Sequence, residues 1–346
     1  MNSLLSGVYE DLYSRFDMSF FEDKDILITG STGNIMATLL DFLSFAEKQG
    51  TKFKSIQAVS SSGKYPNTMS RPTASEEVVG DLTNANFIGT LKHCDVLIHA
   101  AGYAQPSKFL HNAIKTYTLN THTTSLLSSL VRPDGRILFL SSSEVYSGLS
   151  GESFSENQIG TTNPEHPRAA YIEGKRGGET IIQLLRGEGR IQAVSARVSL
   201  VYGPGFRQGD TRVLNTLIEK SLTSKILDLV DSGGAIRTYC FVSDALYQMF
   251  QILKSGSEAT YNLGGSSTLT ILELAQLVAE KTNSVVLLPK ENSARVGAPM
   301  NVGLNLDKIS KLIDNLNPIS IDQGLDLTIK WFRSELKSSR VDNCVK

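Results

Sequence analysis

The chain has 346 residues, 40% of them hydrophobic and 20% charged, with a formal net charge of −1 at pH 7. That length allows about two domains, or one large α/β domain with an added lobe, and the balanced charge offers no basic surplus for nucleic acid or an anionic membrane surface. Cys94, Cys240 and Cys344 form no CxxC pair, so reduced thiols are expected rather than a disulfide framework, and no metal site.

Residues 1–23 alternate apolar and acidic side chains without a continuous apolar run. This excludes a signal peptide or membrane span and predicts an amphipathic lead-in on a cytoplasmic protein. Asp25-Ile-Leu-Ile-Thr-Gly30 is an apolar run ending at glycine, the pattern of a buried parallel strand. Helical spacing follows through Leu39, Leu40, Phe42, Leu43 and Phe45. Further strands are predicted over 55–59, 76–79, 95–99, 136–140 and 191–198, with one helix over 108–130. Strands alternating with helices predict an α/β, Rossmann-like, doubly wound parallel sheet. After Tyr202-Gly-Pro-Gly205 the texture changes to helices over 213–222, 271–281, 304–315 and 325–336, mixed with strands over 226–230 and 260–263. The expected organisation is a nucleotide-binding domain over 24–200, rejoined by 237–264. A smaller C-terminal substrate-binding lobe then comprises 201–236 and 265–337, and 338–346 form a loose polar tail.

Between the first strand and helix lies Thr29-Gly-Ser-Thr-Gly-Asn-Ile-Met36. Gly30 permits a tight turn, and Gly33 lets backbone approach a pyrophosphate at the helix N-terminus. Met36 stands at the place of a third glycine. The second strand ends in Ser60-Ser-Ser-Gly-Lys64 with no carboxylate to select NAD through the ribose hydroxyls, so NADP is possible as well. Asp81 is placed to accept from an adenine amino group.

Tyr171-Ile-Glu-Gly-Lys175 puts a phenol and an ammonium on one helical face. A phenol is a poor base at neutral pH unless neighbouring positive charge favours its ionised form. Lys175 and an oxidised nicotinamide are expected to lower that pKa, so that Tyr171 takes the proton from a substrate hydroxyl. Strand 136–140 ends in Ser141-Ser-Ser-Glu-Val-Tyr146. There Ser142 would bond the reacting oxygen, and Glu144 could act as a second acid or base.

Taken in order, these segments resemble the extended short-chain dehydrogenase/reductase family (NAD-dependent epimerases and dehydratases), which acts on nucleotide-diphosphate sugars. The resemblance runs from about Lys24 to about Trp331 and includes His99-Ala-Ala-Gly102, Asn120, Arg237-Thr-Tyr-Cys-Phe-Val-Ser-Asp244 and Tyr261-Asn-Leu-Gly264. Pro167-Arg-Ala-Ala-Tyr-Ile-Glu-Gly-Lys-Arg-Gly-Gly-Glu179, Asp210-Thr-Arg-Val213 and Ala113-Ile-Lys-Thr116 are most similar to the UDP-glucuronate decarboxylases of that family. The likeness implies a dinucleotide contacted by Gly30, Thr32, Gly33, Asn34, Ile35, Ser60, Asp81, Leu82, Ala100, Ala101, Gly102 and Asn120, together with Tyr171 and Lys175. It implies a nucleotide-sugar substrate contacted by Ser143, Tyr202, Arg212 and Arg237, the guanidinium groups suiting phosphate or carboxylate. Leu200 departs from the family's asparagine near the sugar diphosphate. The reaction implied is decarboxylation through C4 oxidation, with 4,6-dehydration or 4-epimerisation as alternatives. A cofactor-binding regulator without turnover is the alternative of another class. The likeness further implies a homodimer formed through the helices around 113–130 and 171–185.

Overall fold

The computed structural model describes residues 5–66, 69–205, 210–290, 298–313 and 316–344. In chain order its strands are β1 (Asp25–Thr29), β2 (Ser55–Ser60), β3 (Ser75–Val79), β4 (Cys94–His99), β5 (Val131–Ser142), β6 (Gln192–Val198), β7 (Leu200–Tyr202), β8 (Ile226–Asp228), β9 (Ile236–Phe241), β10 (Thr260–Leu263), β11 (Ser267–Thr270), β12 (Val285–Leu287) and β13 (Asn301–Val302). The α-helices are α1 (Ser6–Arg15), α2 (Asn34–Lys48), α3 (Ala85–Ile88), α4 (Pro106–His111), α5 (Ala113–Asn120), α6 (His122–Ser128), α7 (Ala169–Gly187), α8 (Val213–Thr223), α9 (Val242–Ser255), α10 (Ile271–Thr282), α11 (Asp307–Leu312) and α12 (Ile321–Cys344).

Seven strands form one parallel sheet in the order β10-β6-β5-β4-β1-β2-β3. The order runs outward in opposite directions from β1 and β4, so their carboxyl ends open a crevice at a topological switch point, where such sheets bind ligands. Central β1 and β4 are buried almost throughout, which explains their apolar runs. A second sheet has the order β11-β9-β13, with β7 also paired to β9. Segment 237–264 is therefore divided. β9 belongs to the second sheet, while β10 extends the seven-stranded one.

Among the differences from expectation, three concern a long helix. The single helix predicted over 108–130 is three short ones, broken at Asn112 (φ −122°, ψ 46°) and Thr121 (φ −110°, ψ −85°). At each break the polar side chain bonds a carbonyl four residues back: Asn112 reaches Lys108 and Thr121 reaches Tyr117. Such bonds compete with regular helix. The polar residues from 338 continue α12 to Cys344 rather than forming a loose tail. Finally, α9 has no counterpart among the predicted elements, although Leu246, Met249, Phe250 and Leu253 carry helical spacing.

The lead-in docks as α1, against α2 and α9. Tyr9, buried, donates to Asp41 of α2 at 2.9 Å. Phe250 of α9 sits with no exposed surface among Phe16, Phe21 and Phe42, at centroid distances of 5.0, 5.2 and 5.7 Å. Among the described residues no helix is long and apolar enough to cross a membrane. Replacing Phe250 by Ala is expected to cost about 3–5 kcal/mol through lost burial and the cavity left between three elements. Urea unfolding checks this, and a loss under about 1 kcal/mol would mean that the aromatic cluster closes over the gap.

Candidate active site

At the end of β1, Gly30 adopts φ +69°. A Cβ there would lie 2.7 Å from the Ala100 carbonyl oxygen and 2.9 Å from the Ala101 Cα, so only glycine lets this turn touch the one after β4. Gly33 N-caps α2 and donates to the Gly30 carbonyl at 2.8 Å. Thr32, Asn34 and Ile35 follow at the helix start, whose amides and positive dipole end suit a pyrophosphate. Met36 replaces close glycine packing by burying its side chain in the core.

Beneath the loop His99 links three elements. Its Nε2 reaches the Leu119 carbonyl at 3.1 Å and so carries the proton, leaving Nδ1 to accept from Thr29 Oγ1 at 2.7 Å. Burial, then the Lys175 charge, lowers the His99 pKa to about 3, so the ring is neutral. Two side chains along the crevice hold buried polar atoms without a protein partner: both amide atoms of Asn34, and Oδ1 of Asn120. An unmet buried polar atom costs about 1–3 kcal/mol. A dinucleotide lying on the loop would supply the missing partners, so the residues present fit this cofactor.

The residues expected to meet an adenosine are already engaged within the chain. Ser60 Oγ accepts from the Gly63 amide at 2.9 Å. Asp81 bonds Thr83 through one oxygen and Lys115, at 2.7 Å, through the other. Those bonds, Lys115 first, hold its carboxyl down at about 2. Leu82 is buried, its carbonyl accepting from Thr123. The structure also brings in a carboxylate that the end of β2 lacks. A Cβ on Gly63 would lie 2.5 Å from Glu77 Oε1, projecting from the neighbouring β3.

Arg168, Tyr171, Lys175 and Glu179 recur at three- and four-residue spacing along the start of α7 and share a face. Lys175 is buried and donates to the Leu140 carbonyl at 2.6 Å, its Nζ standing 5.9 Å from the Tyr171 ring centroid. Gly102 and Asn120 complete this corner, since a Cβ on Gly102 would sit 3.6 Å from Asn120 Oδ1 and 3.9 Å from Lys175 Nζ. Burial lowers the Lys175 pKa to about 7, opposed by the negative charge of Glu179. The Ser142 hydroxyl lies near the Tyr171 phenol and favours its ionised form. That phenol is nevertheless raised to about 12, by burial first and the charge of Glu144 second. The depressed pKa expected from Lys175 is therefore not a property of the protein alone. Withdrawal from water outweighs the neighbouring cations.

Glu144 does not stand ready as an acid or base. Both of its oxygens are taken by the buried Arg168, whose Nε donates at 2.8 Å and whose Nη2 makes a second contact. Phe109 of α4 stacks on Tyr171 with centroids 4.7 Å apart and planes at 11°, and the Arg168 guanidinium lies 4.9 Å from the Phe109 centroid. Arg168, Phe109 and Glu179 received no role from the sequence. Arg168 and Glu179 carried a signal in their spacing from Tyr171 and Lys175, whereas Phe109 carried none.

Of the expected substrate residues, Ser143 is buried in the 3-10 turn Ser143–Tyr146 after β5. Arg212 pairs with Asp210 at 2.5 Å. Arg237 donates to the carbonyls of Ile236, Met300 and Pro299 at 2.7, 3.2 and 2.6 Å. Tyr202 is a correction: its ring is 2% exposed, packed on Tyr239 and Phe241, because β7 turns it into the core.

Comparison with known proteins gives a family and a fold. The model of a family described as "NAD dependent epimerase/dehydratase family" matches residues 26–264, more than half of the chain. UDP-glucuronic acid decarboxylase 1 of Danio rerio is 28% identical over 332 residues, covering 92% of this chain and 76% of that protein. UDP-glucuronic acid decarboxylase 6 of Arabidopsis thaliana is 29% identical, with coverage of 92% and 91%. An epimerase from Methanothermobacter thermautotrophicus superposes with TM-score 0.80 at 19% identity, covering 97% and 98% of the two chains. MoeE5, solved in complex with UDP-glucuronic acid and NAD, gives 0.72 at 23% identity, with 90% and 99% covered. A Gly30→Ala substitution is expected to weaken dinucleotide binding at least tenfold, because both its φ and its contact with Ala100 forbid a side chain. Isothermal titration with the cofactor measures this, and unchanged affinity would show that the loop is not the cofactor cradle.

Proposed function

The chain belongs to the NAD dependent epimerase/dehydratase family, and within it we propose a nucleotide-sugar decarboxylase that oxidises C4 of a UDP-glucuronate-type substrate. The observation that carries this reading is the engagement of Glu144 by Arg168. A 4,6-dehydratase needs a base for the C5 proton and an acid for the leaving 6-hydroxyl. Here the candidate base has both oxygens in an ion pair, and the residue before it, Ser143, carries no acidic proton. Decarboxylation asks for neither group. The curated relatives at 28–29% identity support the same choice.

In this reading Ser142 bonds the sugar 4-hydroxyl, and Tyr171, as phenolate, accepts its proton. Lys175 holds its ammonium beside the phenolate from the anchor on Leu140. NAD, when bound, supplies the hydride acceptor for C4 and a positive ring that favours the phenolate. The resulting ketone is β to the C6 carboxylate. The C5–C6 bond then breaks, carbon dioxide leaves, and the electron pair is held by the C4 carbonyl as an enolate, against Ser142 and Tyr171. Tyr171 and Ser142 also argue for turnover over a regulator, since a binder gains nothing from a catalytic phenol held away from water at a cost in stability.

For the cofactor we favour NAD over NADP, because Glu77, paired with Arg71 at 2.7 Å through Oε2, keeps Oε1 beside Gly63 to accept from ribose hydroxyls. For the assembly we favour a homodimer through α5 and α7, which pack together and leave Ile114 86% and Leu184 64% exposed. Leu119 and Leu127, which lie within the same stretch, pack inside the domain. Light scattering is expected to give twice the chain mass, and Ile114→Arg to lower it to one chain; a monomeric wild type would reject the interface.

Incubation with NAD and UDP-glucuronate should give a product lighter by 44 mass units once any redox change is allowed for, the mass of carbon dioxide. Loss of 18 would replace the reading by dehydration, and an isomer of equal mass by epimerisation. Tyr171→Phe is expected to lower turnover about 10²- to 10⁴-fold while leaving NAD binding unchanged. Equal activity in that variant would reject Tyr171 as the base.

A further inference from the structure

We infer that Arg168 is a positioning residue that neutralises Glu144 beside the catalytic phenol and thereby sets the pH at which Tyr171 works as a base. This rests on Tyr171 being the base and adds a residue that acts through it.

The geometry encloses the phenol. Arg168 N-caps α7, its carbonyl accepting from the amides of Tyr171 and Ile172 at 3.0 and 3.1 Å. Its guanidinium reaches across to Glu144 in the 3-10 turn after β5. That turn is tied back to the site, because the Glu144 amide donates at 3.2 Å to Ser142 Oγ, the hydroxyl near the phenol. Phe109 closes one ring face of Tyr171 without adding charge.

Four charged groups bear on the buried ring. Glu144 comes from the turn after β5, Arg168 from the start of α7, Arg212 from the N-cap of α8, and Lys175 from the next turn of α7. Arg212 is paired with Asp210, and Lys175 with a carbonyl. Glu144 is the largest charge effect on the phenol, second only to burial, and it opposes ionisation; Arg168 favours it. Away from water such charges are weakly screened. With Arg168 removed, Glu144 would remain as an uncompensated anion against the phenolate. A purely structural latch would behave differently, changing stability or turnover at every pH without moving the titration.

The test titrates the phenol directly, by tyrosinate ultraviolet difference spectra of the NAD-bound enzyme against its Tyr171→Phe counterpart, and follows the acid limb of kcat/KM with UDP-glucuronate. Arg168→Met is expected to move both upward by about one pH unit, a tenfold loss of phenolate at a fixed pH below the transition. Glu144→Gln, close to isosteric, should move both downward by a similar amount, and the double variant should lie between. Should Arg168→Met fail to fold, the downward shift in Glu144→Gln still decides the matter. Titration in Glu144→Gln at the wild-type pH would overturn the inference. The spectra need no turnover, so a protein that does not decarboxylate UDP-glucuronate would defeat the proposed reaction while leaving this result readable.

Discussion

Two short bonds between β5 and α7 govern the site. Lys175 donates to the carbonyl of Leu140, and one residue later Ser141 donates to Glu179 at 2.5 Å. Together they set the height of the helix on the end of the strand. Ser142, next along the strand, and Tyr171, one turn back along the helix, meet as a consequence. Glu179 is itself held by a bidentate pair with the buried Arg197 of β6. Arg197 also bonds Tyr146, which donates to Asn262 of β10. The catalytic register is thus tied across three neighbouring strands, and buried pairs of this kind are costly to break from one side.

Around that clamp the protein manages charge in opposite ways. Below the loop, His99 is kept neutral by burial and by a tautomer set on both ring nitrogens. After β5, Glu144 is held in an ion pair with Arg168. Between them, Lys175 and Tyr171 are both withdrawn from water, and each is pushed towards its neutral form. Burial thus favours a neutral phenol and a neutral amine side by side, and only added positive charge nearby would favour the phenolate.

Much of this was legible in the sequence, for definite reasons. Buried parallel strands announce themselves as apolar runs, so β1, β2, β4 and β6 fall within a residue or two of expectation. That Tyr171 and Lys175 share a face was readable from their spacing of four on one helix, and Ser142 from its place at the end of an apolar strand. The failures also have physical causes. Helical spacing cannot show that Asn112 and Thr121 divert their side chains onto the backbone and cut one helix into three. Nor does sequence show that the carboxylate near the second strand comes from β3, since Gly63 and Glu77 meet only through strand pairing. Tyr202 lay in a family motif, but the strand that carries it points its ring inward.

The position of α9 has a consequence for how the chain is made. Its residues close the core over α1 and α2, and Lys254 at its end pairs with Asp17 at 2.8 Å across 237 positions of sequence. Strand β10, which covers the edge of β6, comes later still. During synthesis, at about 5–20 residues per second, the first helix therefore leaves the ribosome well before its partner exists. For that interval Phe16 and Phe21 have each other and Phe20 to pack on but lack Phe250, which closes over both in the folded chain.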